Sequence, residues 1–216
     1  MRSLIQSKNG LAACAVLVAA LLSGCTGTKV IDTWRDEAYT GRPARILVIA
    51  ITRERGPRTL LEEGFARQLK VHGVEPYIGT AAFPEEGLPS RDAVIAKAAE
   101  LKAEAVLVVR FLQTTTGETS TPVRRYAAPA GFATSWNDYM GSYYGASTMT
   151  AVGIRDVSYD FYYATIETTL FDMQTQDPLW SLYSSTKYEQ HLLKQIDPFA
   201  ETIMRELDKA KLLPRR

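Results

Sequence analysis

Two stretches are apolar at nearly every position: Arg45 to Ile51 (RILVIAI) and Ala105 to Leu112 (AVLVVRFL). Apolar residues at odd and even positions alike suit a strand covered on both sides, so each stretch predicts a buried strand in a sheet flanked by helices. Between them the period changes. Leu60, Leu61, Phe65 and Leu69 fall on one side of a helix that Gly73 can end, and Val94, Ile95, Ala98 and Leu101 form a second stripe behind Ser90, a helix-capping residue. Val74 to Ile78 reads as a short strand between these helices. Pro76 predicts that this strand lies at a sheet edge, because proline donates no ladder hydrogen bond. Strand, helix, strand, helix, strand predicts parallel neighbours joined by right-handed crossovers.

Ser158 to Phe171 and Leu179 to Tyr188 alternate and are rich in β-branched and aromatic residues, with turn chemistry from Asp172 to Pro178 between them. They predict a long antiparallel hairpin whose inward residues include Ile166, Leu170, Trp180 and Leu182. A last helix is expected from about Asp197, with Pro198 at its first position and Phe199, Ile203, Met204 and Leu207 as its packing stripe. The expected fold class is therefore α/β. Its mixed sheet has three strands linked by helical crossovers, followed by the hairpin and a C-terminal helix.

The chain ahead of the first buried strand is of another kind. Arg2 and Lys8 precede an apolar run, Leu11 to Leu22, which Leu22-Ser23-Gly24-Cys25 closes. The run is too short to span a bilayer comfortably as a permanent helix. It resembles a bacterial lipoprotein signal peptide. That resemblance implies removal of residues 1–24, with Leu22, Ser23 and Gly24 forming the cleavage box, and acylation of Cys25 as the new first residue. Thr26, where an Asp would favour retention in the inner membrane, implies sorting to the outer membrane, facing the periplasm. Residues 25–44 then read as a lipidated tether and arm, with a strand-like patch from Lys29 to Trp34 and Trp34 packing onto the domain. Tyr39 to Pro43 is turn chemistry, and residues 45–213 form a single periplasmic domain.

Processing changes charge and cysteine content. Loss of Arg2 and Lys8 turns the formal +1 into −1, so no basic excess remains to attract phosphate and nucleic acid is not an expected partner. Cys14 leaves with the leader and Cys25 carries lipid. The domain then has no thiol for a disulfide, a thiolate metal site or a nucleophile.

Gln113 to Val157 (residues 113–157) reads as a flexible insertion of Thr, Ser, Gly, Ala and aromatic residues, and one so long inside a compact domain is either functional or mobile. Phe132, Trp136, Tyr139, Tyr143 and Tyr144 are its candidate partner-binding residues, since aromatic side chains supply contact area. A membrane-spanning role needs sustained alternation, which Pro129 and Gly131 interrupt.

Three pieces carry a further resemblance: the RILVIAI strand, the AEAVLVVRFL strand behind its helix, and the hairpin ATIETTLFDMQTQDPLWS, with Asp172 in its turn and Trp180 after it. Together, over residues 45–213 without the insertion, they are similar to the α/β domain of the amino-terminal part of TolB, of the periplasmic part of the curli secretion channel, and of several small lipoproteins. The resemblance implies architecture rather than role. Lys102-Ala103-Glu104-Ala105 departs from it where such domains commonly have Gly-Ala-Asp.

Candidate chemistry is thin. His72 and His191 lie far apart without a carboxylate cluster, so no metal site is expected. Neither a GxxxxGK[ST] nor a GxGxxG nor a GxSxG motif occurs, and Ser184-Ser185-Thr186-Lys187 matches a bare SxxK within a predicted strand, with its serine and lysine facing opposite sides. Glu62-Glu63 and Glu85-Glu86 read as solvated surface. The expectation is a non-catalytic envelope lipoprotein without cofactor, attached to membrane through Cys25. Its domain would bind or scaffold another envelope protein, or self-associate, through the insertion and the exposed parts of the hairpin. The alternative is an oligomeric secretion-channel or pore-type subunit.

Overall fold

The computed structural model describes residues 27–52, 54–85, 87–117, 161–188 and 193–215. Cys25 and its cleavage box, Phe132, Trp136, Tyr139, Tyr143, Tyr144 and His191 lie outside the described residues. The two apolar stretches become β2 (Arg45–Ile51) and the first part of β4 (Ala105–Gly117), which run parallel side by side. β3 (Glu75–Ile78) pairs parallel with the other side of β2. The hairpin of β5 (Phe161–Asp172) and β6 (Pro178–Tyr188) pairs antiparallel with β4, and β1 (Thr28–Arg35) closes the sheet antiparallel to β6. The order is β1-β6-β5-β4-β2-β3, so β3 with its Pro76 is at an edge as expected.

Helices α1 (Arg55–Val71) and α4 (Leu193–Lys209) cover one face. Leu61, Phe65 and Leu69 of α1 and Phe199, Ile203, Met204 and Leu207 of α4 pack on Ile46, Val48, Leu107, Val109, Ile166, Leu170, Trp180 and Leu182. The Phe65 and Phe199 rings meet edge to face, 5.5 Å between centroids. On the opposite face α3 (Arg91–Glu100) lays Val94 and Ala98 over Leu47, Ile49, Val106 and Val108. That double cover is why β2 and β4 are apolar in both parities. The Ser90 hydroxyl accepts from Ala93 N–H and caps α3, and a short helix, α2 (Gly79–Ala82), follows β3. Gly73 at φ +76° ends α1 in a conformation that L side chains rarely adopt.

Several expectations need correction. Leu60 is 37% exposed, because α1 turns its apolar stripe one position further round. Trp34, expected to pack onto the domain, leaves 39% of its surface exposed on the edge strand. Pro198 is not the first residue of the last helix. α4 begins at Leu193, and the proline sits inside it, where its missing N–H leaves one intrahelical hydrogen bond unmade. β4 continues through Gly117, past a bulge between Phe111 and Gln113, so its end runs into the segment read as insertion. The strand foreseen in the arm is longer than KVIDTW and is a full member of the sheet.

Candidate functional site

β1 is the element that sets the candidate surface. It is held by a ladder to β6 from Thr28↔Thr186 to Arg35↔Trp180, reinforced by Thr28 and Thr186 hydroxyls 3.0 Å apart. Gly27 extends the ladder, its carbonyl accepting from Lys187 N–H at 2.7 Å. The other side of β1 faces no strand among the described residues, and Lys29, Ile31, Asp32, Thr33 and Trp34 are all exposed. The register shifts between Val30 and Asp32, so Ile31 stands at a bulge and is 49% exposed. An eight-residue edge with no proline presents to an incoming strand two large apolar side chains and, beside them, backbone groups that pair with no strand among the described residues, although Asp32 Oδ1 already accepts from Thr33 N–H at 2.8 Å.

β5 and β6 are interior strands whose Ile166, Leu170, Trp180 and Leu182 are buried, as the sequence predicts, so neither has an open backbone edge.

Behind the edge, on the face opposite α1 and α4, a polar row crosses the sheet. Register aligns Arg110 with Glu167, Glu167 with Tyr183 and Tyr183 with Asp32. Arg110 Nε donates to Glu167 Oε2 at 3.0 Å, and its Nη2 donates to the same oxygen. Tyr183 Oη donates to Glu167 Oε1 at 3.1 Å. Arg110, Glu167 and Tyr183 are all buried, and burial, followed by the Glu167 carboxylate, holds the Tyr183 phenol well above its ordinary range. Thr169 and Ser181 hydroxyls, 2.7 Å apart, continue the buried polar face. The sequence signal for this row was one arginine inside AVLVVRFL, whose partner is distant in the chain.

Glu62, read from sequence as solvated surface, is 1% exposed. Its Oε1 accepts from Ala50 N–H at 3.0 Å and its Oε2 from Thr80 N–H at 2.6 Å, tying the end of β2 to the start of α2. Burial raises its pKa, against the lowering effect of those two N–H groups and of Arg58. A Cβ on Gly79 would stand 2.7 Å from Val48 O and 2.8 Å from Glu62 Oε1, so this crossing requires glycine. The cavity beside it, lined by Ile49, Arg58, Glu62, Gly79, Thr80, Phe83 and Pro89, measures about 10 Å³, room for one water at most. With both oxygens engaged, Glu62 clasps the end of β2 to the start of α2.

Among the described residues no three His, Cys, Asp or Glu side chains converge as a metal site would require, and no helix is long and apolar enough to cross a membrane. His72 caps the end of α1. Ser184 and Lys187 face opposite sides of β6, as read from the sequence.

The fold defines a class of α/β domains with one mixed sheet and helices on both faces. No family model matches the chain, and no curated protein matches it. Among solved structures it is similar to the PelC dodecamer from Paraburkholderia phytofirmans, at 13% identity and TM-score 0.46 over 88% of this chain and 99% of that one. It is also similar to lipoprotein GNA1162 from Neisseria meningitidis, at 11% identity and TM-score 0.43 over 77% of this chain and 99% of that one. A minor lipoprotein from Acinetobacter baumannii shares 13% identity at TM-score 0.33, over 80% of this chain and 98% of that one. At these values neither the dodecameric assembly of PelC nor the lipidation of the two lipoproteins passes to this chain.

Proposed function

We propose that this chain is a non-catalytic lipoprotein of the bacterial envelope, acylated at Cys25, whose periplasmic domain binds another envelope component by accepting a strand on β1. The observation that carries the reading is β1 itself: an open edge exposing Ile31 and Trp34, beginning directly behind the Leu22-Ser23-Gly24-Cys25 box. Strand addition draws affinity from main-chain hydrogen bonds and specificity from side chains beside the edge. Thr26 supports outer-membrane sorting, and the structural engagement of Glu62 supports a role without catalysis.

Labelled fatty acid and site-specific photo-crosslinking in cells test it. Label is expected in the wild-type chain and absent from Cys25→Ser. A crosslinker at Ile31 or Trp34 is expected to capture a distinct envelope protein, and one at Glu75 on the opposite edge is not. Equal capture from both edges, or none from β1, overturns the reading. Capture of a second copy of this chain instead points to the oligomeric channel or pore alternative, which the native assembly mass and leakage of sealed vesicles then measure.

A further inference from the structure

The described ladder begins at Gly27, so Thr26 alone separates the sheet from Cys25. Two Cα steps reach at most about 7 Å. Gly27 is held to β6, its carbonyl accepting from Lys187 N–H at 2.7 Å, and a Cβ built on it would lie 3.1 Å from Lys187 O and 3.6 Å from Gln195 Oε1 at the start of α4. From this we infer that the bilayer holding the Cys25 acyl chains lies against one end of the sheet, the end formed by the start of β1, the close of β6, the start of β5 and the close of β4. The inference rests on the acylation proposed above and fixes where the lipid surface stands relative to the domain.

Register defines that end. Thr28, Thr186, Ala164 and Thr114 stand in one row across the four strands, and the Gly117↔Phe161 pair lies beyond it. Lys29, exposed two residues after Gly27, suits the headgroups of anionic phospholipid. The alternative pose, with the β1 edge laid along the bilayer, would set the exposed Asp32 carboxylate against anionic headgroups, which is unfavourable, and would cover the edge that strand addition needs. With the strands standing on the membrane, the end of β1 at Arg35 is about 23 Å further away. The edge then remains open to the periplasm along most of its length.

The mature chain carries no thiol besides Cys25, so single cysteines can be labelled cleanly. The acylated chain would be purified from membranes and its acyl mass confirmed. Variants Lys29→Cys, Thr33→Cys and Ala38→Cys, each with a fluorophore, would be reconstituted in phosphatidylethanolamine–phosphatidylglycerol vesicles containing headgroup-spin-labelled lipid. Quenching is expected to be several-fold stronger at position 29 than at 38, with 33 between. A Gly/Ser spacer of roughly 20 residues placed between Thr26 and Gly27, which relaxes the tether, is expected to flatten this gradient. Equal quenching at the three positions, a reversed order, or a gradient that survives the spacer overturns the inference. An unacylated Cys25 overturns the earlier reading instead, and the mass measurement distinguishes the two.

Discussion

Tyr183 donates its hydroxyl to one oxygen of Glu167 while Arg110 holds the other, and all three side chains lie buried on adjacent strands. Removing one partner of such a pair strands a charge away from water, which costs about 3–5 kcal/mol, whereas replacing both by apolar groups is often neutral. Glu167→Leu and Arg110→Met are each expected to destabilise the domain strongly, and the double variant is expected to be more stable than either single one. Tyr183→Phe, losing one hydrogen bond to a charged group, should cost about 1.5–3 kcal/mol. Urea unfolding of the four variants measures all of this; strictly additive single effects would contradict the pairing.

Gly64 on α1 faces Ile196 of α4, and a Cβ there would stand 2.3 Å from Ile196 Cγ2. Alanine in an unobstructed helix is favoured over glycine by about 0.5–1 kcal/mol. Here the sign reverses. Gly64→Ala is expected to lower stability by about 1–3 kcal/mol through overpacking, and Ile196→Ala in the same chain is expected to recover part of the loss. Thermal unfolding of the two singles and the double checks this.

Thr168 is fully buried near Val109 and Leu182, and its hydroxyl has no hydrogen-bond partner among the described residues. Thr168→Val exchanges an unpaired polar atom for a methyl group at nearly constant volume. A gain of about 1 kcal/mol is expected from denaturant titration, the lower end of the penalty for such a group.

Glu62 supplies a pH dependence. Its pKa is raised in the folded chain, so between the unfolded carboxylate value of about 4.3 and the raised value the folded state binds more protons than the unfolded state. Stability therefore falls as pH rises through that window. Glu62→Gln does not titrate, so the stability difference between wild type and variant is expected to shrink with rising pH from about 4.3 upward. Chemical denaturation at a series of pH values gives the slope; an increasing difference would contradict it.

The core was legible because its signals are local. RILVIAI, Pro76, the Ser90 cap and the α4 stripe each state their environment within a few residues, and the structure places them accordingly. What escaped depends on register. β1 breaks strict alternation at the Ile31 bulge, so the sequence shows a strand-like patch in an arm but not its place in the sheet, nor how much of Trp34 stays exposed. Arg110 acquires meaning when β4 pairs with β5 and Glu167 comes opposite it. Glu62 looked like half of a solvated acidic pair because nothing local shows that Ala50 and Thr80 would present backbone N–H groups to it. Pro198 fits a helix start so well that the preceding turn of α4 went unread.

The direction of β1 also restricts how copies of the chain could join. Two protomers zipped edge to edge through this strand in antiparallel fashion would be related by a rotation that sends their first residues to opposite ends of the shared ladder. Their fatty tails would then point away from each other, and one leaflet could not receive both. On the proposed anchoring, antiparallel homodimerisation along this edge is barred on a flat membrane, so a second copy could meet the open strand there only in another geometry.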